Sequence, residues 1–168
     1  SDGADAYIPG SVHINYTAFF SEDKNLKPPD ELTKIFENAG IADNDSVVIY
    51  GDCHPCESSG VTLHPATYTY YVLLSLGHQK VRVLDGGLGS WKAARKPTAN
   101  APSTRPVACY FLHPRQDMQA SINYIKEHPV QLVDARTIRE FKVSTIPGSI
   151  NIPADTVAVG GSIRDKVE

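Results

Sequence analysis

One phrase occurs twice in this chain, 138 residues apart: Ile8-Pro9-Gly10-Ser11-Val12-His13-Ile14-Asn15 returns as Ile146-Pro147-Gly148-Ser149-Ile150-Asn151-Ile152-Pro153. A period that long marks a repeated domain, not a solenoid unit. The 168 residues therefore read as parts of two related modules. The first copy starts at residue 8 and the second falls near the end. Both modules are thus expected to be incomplete, the first lacking a strand ahead of Ile8.

The chemistry of the whole chain excludes several classes. A net charge of −3 and a pI near 6.0 give no bulk attraction to nucleic acid or to anionic membranes. No apolar run approaches the roughly 20 residues of a membrane helix. Three cysteines do not make a disulfide framework. A reducing, cytoplasmic setting is the expectation.

Strand and helix signals alternate. Residues 12–15 read as a short strand after a Pro-Gly turn. Pro28, Pro29 and Asp30 open a helix whose apolar stripe is Leu32, Ile35, Phe36 and Ala39, stopped by Gly40. Val47-Val48-Ile49-Tyr50 is a β-branched run, as in a strand covered on both faces. A polar loop follows, and Pro65 starts a second helix with Tyr70, Leu73, Leu74 and Gly77 on one face. Residues 81–84 form another strand, and Asp85-Gly86-Gly87 turns the chain into a short helix bearing Leu88 and Trp91. Residues 98–106 are rich in Pro, Ala, Ser and Thr and read as a linker. A bridging strand over 107–112 would bury Cys109, and Asp117 would cap a helix holding Met118, Ile122 and Ile125. A strand over 130–134 begins the second module. This alternation predicts an α/β fold, a parallel sheet flanked by helices. Ligands in such sheets sit beyond the carboxyl ends of strands, here the loop after Tyr50.

These phrases resemble the rhodanese-like sulfurtransferases of tandem-domain type. The matching residues are the Ile8-Pro9-Gly10-Ser11 turn, residues 47–52, Gly77-His78, residues 81–87 and Trp91 in the first module. In the second they are Leu132-Val133-Asp134-Ala135-Arg136, Glu140-Phe141 and the repeated turn. The resemblance divides the chain into a first module over 1–97, a linker with strand and helix over 98–129, and the start of a second module over 130–168. It implies transfer of sulfane sulfur from thiosulfate or a related donor to a thiol or cyanide, through a cysteine persulfide. It implies no cofactor and no metal. The partners would be small-molecule donor and acceptor and the second module of the same polypeptide, with no nucleic acid or membrane. The other class of function is a non-catalytic scaffold or regulatory domain of a larger sulfur-metabolism protein.

The attacking species is a thiolate, which needs a depressed pKa. In the family the cysteine directly follows a buried strand, and loop amides stabilise the anion. Here Gly51 and Asp52 intervene before Cys53 and Cys56, and the loop lacks an arginine. The first module thus resembles the inactive copy of tandem enzymes, with the second module's cysteine expected beyond Glu168. Within this chain Cys53, then Cys56, is the catalytic candidate. Cys53-His54-Pro55-Cys56 is open to four readings: unremarkable loop cysteines, a sulfur-carrying nucleophile, a redox pair, or half of a metal site. Arg136 and Arg139 follow a strand end and are candidates for binding an anionic substrate, although a solvated or salt-bridged arginine is the plainer reading. The carboxylate-binding arginine of the mercaptopyruvate branch would fall nearer Glu140, which leaves thiosulfate or persulfide donors open. Ser58-Ser59-Gly60 could offer donors to an anion, or be only a polar loop. Asn15 stands where several relatives carry an acidic residue.

Overall fold

The computed structural model describes residues 6–51, 65–159 and 162–163. They form two compact units, the first reaching Gln116 and the second beginning at Asp117.

In the first unit, helix α1 spans Pro29–Asn38, as the Pro-Pro-Asp start predicts, with Leu32, Thr33 and Phe36 buried. Asp30 and Glu31 in its first turn face the positive end of the helix dipole. Strand β1 is Val47–Ile49 and β2 is Val81–Val83. They pair in parallel with Val47 opposite Val81. A parallel pair needs a crossover, and helix α2, Pro65–Ser75, belongs to it. Residues 70, 73, 74 and 77 predict one buried face. The helix instead buries Ala66, Val72, Leu73 and Ser75, with Leu76 just beyond it. Helix α3, Gly87–Ala93, follows the turn after β2.

The core gathers Phe19, Leu32, Phe36, Ile41, Val72, Leu73, Leu76, Val81 and Tyr110. Phe19 closes a 3-10 turn, Tyr16–Phe19, whose cap Asn15 accepts from the Thr17 N–H at 3.0 Å. Phe19 and Phe36 stack with centroids 5.6 Å apart. A fully buried Leu or Phe contributes about 1.5–3 kcal/mol, against about 1 kcal/mol net for a ladder hydrogen bond. With two three-residue strands, helix packing and not the ladder holds this unit together.

The proline-rich segment after α3 does not leave the unit. Tyr7 and Ala99 exchange two backbone hydrogen bonds of 2.8 Å, and Ser103 N–H donates to the Ser11 carbonyl at 2.7 Å. Trp91, read as core, is half-buried and donates its indole N–H to the Pro97 carbonyl at 2.8 Å. Residues 107–112 run extended without a ladder partner among the described residues. They are strapped to α1 through Ala108 N–H and the Glu37 carbonyl, and through Tyr110 N–H and the Glu37 carboxylate. Alternation along this strap buries Tyr110 and turns Cys109 outward. The expectation of a buried Cys109 is therefore corrected: a period-2 segment lying on one surface covers only every second residue.

His78 fastens the strap. Its Nε2 donates to the Asp45 carbonyl at 2.9 Å, since a carbonyl can only accept, and its Nδ1 meets the Tyr110 hydroxyl at 3.0 Å. Burial, helped by the Asp43 charge, pushes the Tyr110 phenol above its ordinary range.

The second unit is slighter. A 3-10 turn, Gln116–Met118, stands where Asp117 was expected to cap a helix, and helix α4, Ile122–Glu127, is capped by Ser121. Strand β3, Val133–Asp134, pairs in parallel with β4, Ile150–Asn151, around helix α5, Ile138–Val143. Helix α6, Ala154–Val157, and a small antiparallel pair, β5 at Ala158–Val159 and β6 at Ser162–Ile163, follow.

Tyr110→Phe leaves His78 Nδ1 buried without its partner. It is expected to lower the unfolding free energy by about 1–3 kcal/mol. Urea denaturation checks this, and an unchanged midpoint would show that the bond contributes nothing.

Candidate functional site

The carboxyl end of β1 is fixed on two sides. Tyr50 points its hydroxyl into the first Ile-Pro-Gly-Ser turn, where Ile8 N–H donates to it at 3.0 Å and Ser11 Oγ lies 2.6 Å away. The turn has proline second and a glycine third at φ 83°, and its copy has Gly148 at φ 84°. A type II turn demands this arrangement. Ser11 N–H returns to the Ile8 carbonyl at 3.0 Å, and Ser149 N–H to Ile146 at 3.1 Å.

The next residue is gripped from the other side. The Gly51 carbonyl accepts from Leu88 N–H at 3.2 Å. Gly87, at φ 54°, lies so close that a Cβ there would meet the Gly51 oxygen at 2.3 Å. This gives Asp85-Gly86-Gly87 its structural reason. A Cβ on Gly51 would in turn stand 3.5 Å from the Ala66 Cβ. The chain on either side of the loop is therefore brought together at the strand end, where a parallel sheet offers its site. Cys53 and Cys56, with Asp52, His54, Ser58, Ser59, Gly60 and His64, lie outside the described residues.

The second unit shows what its two candidate arginines do. Asp134 accepts from Arg136 Nη2 at 2.6 Å, from Nε at 3.0 Å and from the Arg136 backbone N–H at 2.9 Å. Arg136 Nη2 also donates to the Ser144 carbonyl at 2.7 Å, and Thr145 Oγ1 donates to Asp134 at 3.2 Å. The arginine thereby clasps the two ends of the α5 crossover. Its hydrogen bonds hold the Asp134 carboxyl at about 2, below the ordinary 3.8, and Asp134 raises the Arg136 guanidinium in return. Arg139 stands exposed on the first turn of α5, with no ion pair among the described residues. The structure does not bring the two arginines to one feature. Thr137 and Glu140 form a capping box, and the Thr137 bonds lower the Glu140 carboxyl. Glu140 is thus occupied as a helix cap. Asn151 Nδ2 ties β4 to β3 by donating to the Asp134 and Arg136 carbonyls, both at 2.9 Å.

Sequence reasoning did not single out Tyr50, Ser11 or Leu88 as supports of the loop. The repeated serine of the two turns was the available signal. Among the described residues no group of three or more His, Cys, Asp or Glu could hold a metal ion. None of the described helices is long and apolar enough to cross a membrane.

Residues 4–94 match the model of the Rhodanese-like domain. The chain belongs to the rhodanese-like domain family. A Corynebacterium glutamicum protein named thiosulfate sulfurtransferase is 27% identical over 188 residues, covering 96% of this chain and 60% of that protein. The chain thus spans about half to three-fifths of the length of the curated relatives it matches. Among solved structures, wild-type EanB superposes with a TM-score of 0.75 at 23% identity, over 95% of this chain and 45% of that one. An EanB variant complexed with ergothioneine gives 0.76 at 23% identity. These likenesses show the rhodanese-like α/β fold.

Two outcomes test the supports. Gly87→Ala forces a side chain into the left-handed region and onto the Gly51 oxygen. It is expected to cost at least about 1 kcal/mol in chemical denaturation; a neutral result would show that the loop base does not need this contact. The Asp134 carboxyl has a lowered folded pKa, so its contribution is complete above the ordinary value and is lost as pH falls through about 2. Asp134→Asn should make the stability of the second unit less dependent on pH between about 4 and 2, as followed by acid titration monitored by NMR.

Proposed function

We propose that this chain is part of a sulfurtransferase that moves sulfane sulfur from thiosulfate or a related donor to a thiol or cyanide. The observation that carries the reading is the match, along 96% of the chain, to a protein named thiosulfate sulfurtransferase. The gripped loop base at the end of β1 supports it, because sulfur chemistry needs a thiol presented there on a rigid frame.

In the proposed reaction a cysteine thiolate attacks the outer sulfur of thiosulfate. A new S–S bond forms, the S–S bond of thiosulfate breaks, and its electron pair leaves with sulfite. The acceptor then attacks the outer sulfur of the persulfide. Cyanide leaves as thiocyanate, a thiol as a new persulfide, and the cysteine thiolate is regenerated. No oxidant or cofactor enters. Cys53 is the candidate in this chain and Cys56 the second. The segment between Gly51 and Pro65 carries no Lys or Arg, so the thiolate would depend on backbone N–H groups, with His54 or His64 as the nearest ionisable donors in sequence. Arg139, exposed at its helix start, remains the better placed of the two arginines for an anionic donor; Arg136 is engaged by Asp134.

The test is peptide mass spectrometry of the chain after incubation with thiosulfate, repeated with Cys53→Ser and Cys56→Ser. One added sulfur on Cys53, absent from the Cys53→Ser variant, is expected, and it would make the first module a working sulfur carrier despite its resemblance to the inactive copy. No added sulfur on any cysteine of a folded chain would leave the first module a scaffold for chemistry performed elsewhere.

A further inference from the structure

The end of α3 departs from the usual chemistry of helix termination. Lys96 N–H donates to the Trp91 carbonyl at 3.2 Å, and Arg95 N–H to the Lys92 carbonyl at 2.9 Å. This pair of bonds closes a helix when the residue after the cap turns left-handed, a position that glycine usually takes. Here the residue is Arg95, at φ 53°. The Trp91 indole N–H is tied to the Pro97 carbonyl just beyond, so Lys92, Arg95 and Lys96 are carried on braced backbone. All three are exposed, and none has an ion pair among the described residues.

The helix dipole accounts for Lys92, which lies in the last turn of α3. Arg95 and Lys96 lie past that turn. Among the described residues the other left-handed position without glycine is Lys24, at φ 61°, and there Glu22 and Asp23 stand next to it in sequence. No such neighbour answers Arg95. From Gly86 to Gln116 the chain has no Asp or Glu, although it carries 19 of them and a net charge of −3. The end of α3 is thus a positive feature on a chain that is negative as a whole, and it focuses the approach of an anionic partner. Residues 92–97 are all exposed, so nothing there encloses a small ion. Three cations spread over five residues instead match several carboxylates on one chain. The aromatic beside them, Trp91, is half-buried and engaged by Pro97, which leaves no stacking platform for the bases of a nucleic acid.

We infer that the C-terminal end of α3, with Lys92, Arg95 and Lys96, docks an acidic segment of a partner protein. The other end of the same helix lies against the Gly51 carbonyl. A docked partner therefore sits one short helix, about 9 Å of rise, from the base of the loop. The docking itself does not depend on the proposed sulfur chemistry.

NMR titration of the full chain with hexaglutamate blocked at both ends tests the inference, with hexaglutamine, inorganic sulfate and oligothymidylate as comparisons. Shifts confined to residues 90–97 are expected with hexaglutamate and not with hexaglutamine. They should fade as salt rises from about 0.02 to about 0.5 M, because a shorter Debye length screens exposed charges. Lys92→Glu combined with Arg95→Glu is expected to weaken binding about tenfold, and Lys24→Glu to leave it unchanged. Arg95→Gly separates docking from folding. Glycine relieves the left-handed turn, so the urea midpoint should hold or rise while binding weakens about threefold. A fall in that midpoint would give Arg95 a structural reason and overturn the inference. Unchanged affinity of the double variant would overturn it as well, as would shifts spread over the other cations of the chain. So would sulfate giving the same shifts at equal charge, or oligothymidylate binding more tightly than hexaglutamate.

Discussion

Burial of α2 on more than one side is the constraint on which the first unit rests. The helix carries Val72 and Leu73 into the core, Ala66 to the base of the loop, and Leu76 with His78 just beyond its end. A helix so covered must lie between other elements, and it serves as part of the crossover between two parallel strands. Parallel strands in turn place their carboxyl ends on one edge. Tyr50, Gly51 and the Gly86-Gly87 turn are together at that edge because of this topology, and the cysteine loop leaves from there.

The second unit applies the same local chemistry with different anchors. Its turn repeats the proline and left-handed glycine of the first, and Ser149 closes it as Ser11 does. In the first unit a tyrosine hydroxyl from the strand end holds the turn; in the second, Arg136 and Asp134 hold the α5 crossover. An arginine bonded to a carboxylate and a carbonyl at once is costly to release. That geometry gives Arg136 a structural task, whereas Arg139 is left exposed.

Much of this was legible from local rules. Proline at a helix start, the Leu32 and Phe36 stripe and the β-branched run at 47–49 each set an element without help from distant residues. What escaped was set by tertiary contact. Phe19 is fully buried, yet it sits in a four-residue 3-10 turn too short to show a period. The run over 107–112 is apolar enough to suggest a strand buried on both faces, but it lies on a single surface and exposes Val107, Cys109 and Phe111. Proline-rich residues 98–106 look like a tether, and the pairing of Ala99 with Tyr7 and the Ser103–Ser11 hydrogen bond reveal that they stay on the first unit. At the site, motif order disclosed the family and the loop, but not the Tyr50 hydroxyl or the Leu88 amide that brace it. Hydrogen bonds across 42 residues leave no periodic trace.

Rapid mixing of the chain with thiosulfate, without acceptor, tests the central claim most directly. A thiolate that takes the outer sulfur must release sulfite in a burst before any turnover. The account predicts about one sulfite per folded chain, abolished by alkylating the cysteines beforehand. Absence of a burst from folded, reduced chain would contradict it and assign this module a scaffolding role.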